Sequence, residues 1–140
     1  MNERPYFDMY FMQIAEVVST RSTWLGTKVG CVVTNNNHIV STGYNGTPRG
    51  WSNFIEKSKK NSRYCCHAEE NAIVQAAQFG INLTYSVFYT TLSPCLTCAR
   101  MIVNVNAQAL IFKDLWDDRE AEESLELLKK SKITVRRTIK

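Results

Sequence analysis

Two short stretches hold the residues that could do chemistry. "CCHAEENAIV" (65–74) sets His67 two positions before Glu69, and "TLSPCLTCA" (91–99) sets Cys95 and Cys98 in a C-x-x-C behind Pro94. In a C-x-x-C at a helix start, both sulfurs can face one point, and the free backbone N–H groups there favour thiolates. A histidine nitrogen from a second helix start would add a third donor. Two thiolates and one imidazole leave a tetrahedral metal with one open position, the pattern of a catalytic rather than a structural zinc. Water at such a metal is acidified towards a pKa of about 7. A carboxylate beside it, Glu69, can then take its proton and pass it on.

Other uses of the same residues are simpler. A C-x-x-C after a strand, taken alone, also suits a thioredoxin-like redox pair, and a structural zinc ribbon would need a fourth ligand from Cys31, His38, Cys65 or Cys66. Cys31 sits inside an apolar run and reads as core. His38 begins a strand beside a turn and reads as solvated. Cys65 and Cys66 are adjacent on an extended segment, so at most one of them can face the site. Glu70 reads as a solvated helix carboxylate. What separates these readings is the order H-x-E…P-C-x-x-C, which is the arrangement of zinc deaminases, where the Glu is not a ligand.

The elements that must position these groups follow from periodicity. Residues 5–19 carry Phe7, Tyr10, Phe11, Ile14, Val17 and Val18 at helical spacing, with Pro5 in the first turn. "KVGCVVT" (28–34) and "HIVSTGYN" (38–45) read as strands joined through Asn-rich residues that accept left-handed turns, hence a hairpin. Residues 46–66 form one long irregular connection. A helix is expected over 67–80 with Gly80 as its cap, a strand over 84–92, a helix over 94–106 and a short strand over 109–112. A helix over 117–131, acidic first and basic last, and a strand over 132–139 complete the order. This α-β-β-α-β-α-β-α-β order predicts an α/β fold, a three-layer α/β/α sandwich around a five-stranded mixed sheet. Right-handed crossovers predict parallel central strands.

The chain has 140 residues, 44% hydrophobic and 21% charged, which suits one domain spanning 1–140. No apolar run approaches the roughly 20 residues of a membrane span, and the start, "MNERPYFDMYFMQ", does not read as a signal peptide. A cytoplasmic location without membrane contact is therefore expected. Five cysteines without an export signal favour metal or redox work over disulfides. A net charge of +4 is far from the dense basic stripe of a nucleic-acid binder and suits a small phosphorylated substrate equally well. In an alternative reading with the same zinc core, Lys57, Lys59, Lys60 and Arg63 would hold a polynucleotide.

From about residue 17 onward the chain resembles the deoxycytidylate (dCMP) deaminases of the cytidine-deaminase-like superfamily. "KVGCVV", "STGYNGTPRG", "CHAEENAI" and "TLSPCLTCA" carry the resemblance, and the GYNG-x-P segment is its most discriminating part. It implies Zn²⁺ on His67, Cys95 and Cys98, with Glu69 moving protons while water attacks C4 of cytosine. The products would be ammonia and dUMP, the latter a precursor for thymidylate synthesis. It also implies substrate contacts from Asn45, Ala68 and Trp116, and phosphate contacts from Arg21, Ser22 and Lys28. Effector binding would involve Gly43, Tyr44, Asn45 and Gly46, in a homo-oligomer, often a hexamer. That assembly would be activated by dCTP and inhibited by dTTP, with Mg²⁺ accompanying the triphosphate. Two departures stand out. "TWLG" (23–26) replaces a more polar turn, and Trp116 stands where relatives tend to carry Tyr, so it offers no phenolic hydroxyl.

Overall fold

The expected order of elements is found in the computed structural model, which describes residues 3–51, 63–116 and 119–138. It runs α1 (Phe7–Ser19), β1 (Gly30–Asn35), β2 (His38–Tyr44), α2 (Ala68–Gln78), β3 (Val87–Leu92), α3 (Leu96–Asn104), β4 (Ala109–Asp114), α4 (Arg119–Lys130) and β5 (Thr134–Arg137). The two prolines expected in first helical turns lie just outside them. Tyr6 and Cys95, in extended conformation, are the N-caps of α1 and α3. His67 is likewise the extended N-cap of α2. Gly80, at φ 68°, follows the α2 cap in the left-handed conformation that ends helices. Most of the long connection over 46–66, including Lys57, Lys59 and Lys60, lies outside the described residues.

The strands form one sheet in the order β2-β1-β3-β4-β5. Asn36 and Asn37, at φ 48° and 62°, close the β1–β2 hairpin as their residue type allows. β3, β4 and β5 are parallel, as expected, but β1 runs antiparallel to its central neighbour β3. The reason is topological. The helical crossover joins β2 to β3 and makes those two strands parallel, so β1, hairpinned to β2 and lying between them, takes the opposite direction.

Alternating residues divide the core between two faces. Val32, Tyr89 and Ile111 meet Phe11, Met12 and Ala15 of α1 on one side. Cys31, Val33, Phe88 and Leu110 meet Ala68, Ala72 and Ala76 of α2, Ile102 of α3 and Leu128 of α4 on the other. Cys31 is thus core and His38 exposed, as their positions predicted. The alanines at i, i+4 and i+8 let α2 lie against the sheet backbone. A Cβ at Gly43 would stand 2.2 Å from the Ala68 carbonyl oxygen and 2.5 Å from the Ala72 nitrogen. Gly43 in β2 therefore sets how closely the start of α2 approaches the sheet.

Candidate active site

The helix starts of α2 and α3 converge. His67 Nδ1 lies 3.3 Å from Cys95 Sγ and 3.4 Å from Cys98 Sγ, and the three ligand atoms lie within 4.8 Å of one another. Zinc bonds of about 2.0 Å to nitrogen and 2.3 Å to sulfur, at tetrahedral angles, would set nitrogen and sulfur roughly 3.5 Å apart. The arrangement found is close to that, and the donor types are those of a zinc centre with one position open. These three residues could hold the metal. Cys65 and Cys66 are not in the group, although Cys65 faces the same cavity.

Local structure prepares the donors. Cys95 Sγ accepts from the Cys98 backbone N–H (3.4 Å), an N-cap bond made by sulfur. Glu70 is more than a solvated carboxylate, because its Oε1 accepts from the backbone N–H of His67 (3.0 Å) and pins the histidine where α2 begins. The Cys98 thiol hydrogen-bonded to Cys95, with His67 alongside, pulls the Cys95 pKa down to about 4. The same bond and burial push Cys98 far up. Cys95 in turn raises His67 to about 9. Glu69 is 4% exposed, and burial pushes its carboxyl above the usual carboxylate range, against the lowering effects of the Cys98 thiol and His67.

His67, Glu69 and Cys95 line a cavity of about 360 Å³. Of the residues anticipated as substrate contacts, Asn45, Ala68 and Trp116 also line it. Asn45 does structural work there. Its Oδ1 accepts from Val29 N–H (2.8 Å) and its Nδ2 donates to the Thr27 carbonyl (2.8 Å), leaving one amide proton to offer a ligand. Arg21, Ser22 and Lys28 do not line it. Ser22 is buried, donating from its hydroxyl to the Asn45 carbonyl (2.8 Å) and accepting from Trp24 N–H (3.2 Å). Arg21 sits over the Tyr44 ring at 5.9 Å, and Lys28 is exposed. Of the anticipated effector residues, Gly43 abuts α2, and Gly46 exchanges backbone bonds with Cys66.

Trp24, Thr27 and Glu120 are cavity residues that motif reasoning missed, and Cys65 is the member of the adjacent cysteine pair that faces the site. Trp24 had a signal in the unusual "TWLG" turn beside a candidate ligand-binding segment, and Thr27 directly follows that turn. Glu120 had none, because an acid in the first turn of an amphipathic helix is ordinary.

A family model described as the cytidine and deoxycytidylate deaminase zinc-binding region matches residues 5–113. The chain is 34% identical to a deoxycytidylate deaminase of Saccharomyces cerevisiae, covering 95% of this chain and 45% of that protein. It is 33% identical to one of Mus musculus, covering 85% and 71%. It thus spans less than half the length of the yeast relative. A crystal structure of dCMP deaminase from the cyanophage S-TIM5 in complex with dCMP and dUMP superposes with a TM-score of 0.87 at 26% identity, covering 98% of this chain and 100% of that one. The sandwich and sheet expected from the sequence are therefore those of known deaminases, and the chain belongs to the cytidine and deoxycytidylate deaminase family.

Proposed function

We propose that the protein is a zinc-dependent dCMP deaminase, converting dCMP and water to dUMP and ammonia. The observation that carries this is a buried carboxyl, Glu69, beside a His67/Cys95/Cys98 donor set at the wall of a nucleotide-sized cavity. The likeness over its whole length to a deaminase crystallised with dCMP and dUMP supports the substrate. Zinc on the three donors would supply an acidified water as nucleophile. Glu69 carries the protons: it takes one from the attacking water as the C4–O bond forms and gives it to N3 of cytosine, then takes the proton of the new C4 hydroxyl and gives it to the amine, which leaves as ammonia while C4=O forms. Burial suits it to that task, because a raised pKa brings a carboxyl closer to neutrality. Asn45, Ala68 and Trp116 contact the nucleotide from the cavity wall. The phosphate points out of the cavity towards Arg21 and Lys28, while Ser22 acts through Asn45 and Trp24, which it holds.

Residues 1–140 act as one deaminase domain in this reading. Gly43, Tyr44, Asn45 and Gly46 border an effector site for dCTP and dTTP, with Mg²⁺ accompanying the triphosphate. The chain works as a homo-oligomer, a hexamer, in the cytoplasm and without nucleic acid. Exposed Phe7, Tyr10 and Val17 on α1 support self-association. Among the described residues no helix is long and apolar enough to cross a membrane. The test is a deamination panel of cytidine, deoxycytidine, dCMP, dCTP and a single-stranded oligonucleotide, with and without dCTP and dTTP as effectors. dCMP should be the preferred substrate. Preference for the free nucleoside would overturn the phosphate contacts, and preference for the oligonucleotide would overturn the substrate.

A further inference from the structure

The segment that carries Cys95 is held from outside its own helix. Cys95 is the N-cap of α3, and two peptide groups meet at its Cα. One contains the Pro94 carbonyl, the other the Leu96 N–H. Both are bound by α4. Ser124, fully buried, sets its hydroxyl 2.7 Å from the Pro94 oxygen, sharing its proton with the Ala121 carbonyl at 2.9 Å. Glu120, one turn earlier on the same face, accepts from Leu96 N–H at 3.0 Å. Fixing the two peptide planes on either side of a residue fixes its φ and ψ, and so the direction of its Cα–Cβ bond. For Cys95 that direction aims the sulfur at His67.

We infer that Glu120 and Ser124 are positioning residues for the metal centre, forming an i, i+4 clamp through which α4 sets the aim of the Cys95 thiolate. This rests on Cys95 being a metal ligand. Glu120 faces the cavity but acts through the backbone, since the carboxylate oxygen on Leu96 N–H is the one that matters. The clamp also accounts for a sequence feature the proposed chemistry leaves unused. α4 supplies none of the three donors, yet it packs beside α3 and returns two polar side chains to the one stretch that carries a ligand. Partners of metal ligands typically alter metal affinity by about 10- to 100-fold when removed.

The experiment compares zinc retention against a graded chelator, together with the thiolate-to-metal absorption band of Co²⁺-substituted protein, in folded variants of the full chain. Glu120→Ala and Ser124→Ala should each weaken zinc retention about tenfold and shift the cobalt band. Glu120→Gln, which keeps an acceptor oxygen, should stay within about twofold of wild type. Glu126→Ala, which removes a surface pair with Lys130 on the same helix, should change nothing. Wild-type retention in Glu120→Ala would overturn the clamp. So would loss in Glu120→Gln equal to that in Glu120→Ala, because charge rather than the bond to Leu96 would then be responsible. If removing the buried Ser124 hydroxyl prevents folding, the exposed Glu120 pair of variants still decides. Wild-type retention in Cys95→Ser would overturn instead the ligand assignment beneath the clamp.

Discussion

Glu69 and Glu70 are neighbours with opposite fates. Glu69 turns into the cavity and is buried, while Glu70 turns back along α2 and binds the backbone of His67. Glu69→Gln, similar in size but unable to carry a proton, should lower the rate of dUMP formation by about 10²- to 10⁴-fold while zinc content by metal analysis stays at wild type. Full activity in that variant would remove Glu69 from the proposed mechanism. On the opposite face of the sheet, Tyr89 donates to Asp8 of α1 (3.3 Å), and burial first, then Asp8, raises its phenol to about 12. A raised phenol pKa means the folded state favours the neutral form. Its contribution to stability is complete below about pH 10 and is lost as pH climbs to about 12. Ultraviolet titration should find one late-ionising phenolate, and Tyr89→Phe should abolish it and flatten the fall of stability over that range.

At the scale of elements, two glycines govern how helices meet the sheet. A Cβ at Gly30 would stand 2.0 Å from the Ala15 carbonyl oxygen of α1, and one at Gly43 would press on the first turn of α2. Neither obstacle is a movable side chain. Gly43→Ala should cost about 2–3 kcal/mol in denaturant unfolding and should also weaken zinc retention, because α2 carries His67. Gly46→Ala, whose Cβ would meet nothing within 4 Å, should leave stability unchanged and serves as the contrast. Among the described residues, the order and type of the nine elements could be read from periodicity and turn residues. The strand starts at His38 and Ala109 were legible too, but the helix starts were not. The helices of His67 and Cys95 begin one residue after each ligand, because the ligand itself is the extended cap. Hydrophobic spacing marks which residues of a helix face the core, and a cap residue is outside that pattern.

At the scale of the molecule, the donor set brings together residues 28 and 31 positions apart. It exists only when α2 and α3 pack side by side over the sheet. A metal binding only that arrangement stabilises the fold. Chelation should therefore lower the thermal midpoint by several degrees and added zinc should restore it, and a Cys95→Ser variant should show neither effect. A midpoint indifferent to the chelator would mean that the three side chains hold no metal. The same packing closes the cavity between the 24–29 segment with Asn45 on one side and Leu92–Cys95 with Trp116 on the other.

The sequence by itself determined the donor types, their order, the acid beside them and the alternation of elements. Each of these is written in short-range spacing, and spacing within a helix start or along a strand needs no knowledge of the rest of the chain. Tertiary structure alone decided that Cys65 rather than Cys66 looks into the cavity, that Asn45 spends most of its amide tying Thr27 and Val29 together, and that Ser22 is buried beneath that tie. It alone brought Glu120 and Ser124 to the peptides around Cys95. Those contacts join residues some 16 to 30 positions apart, and which of them form depends on strand order and on where each crossover sets its helix down. No local pattern encodes that.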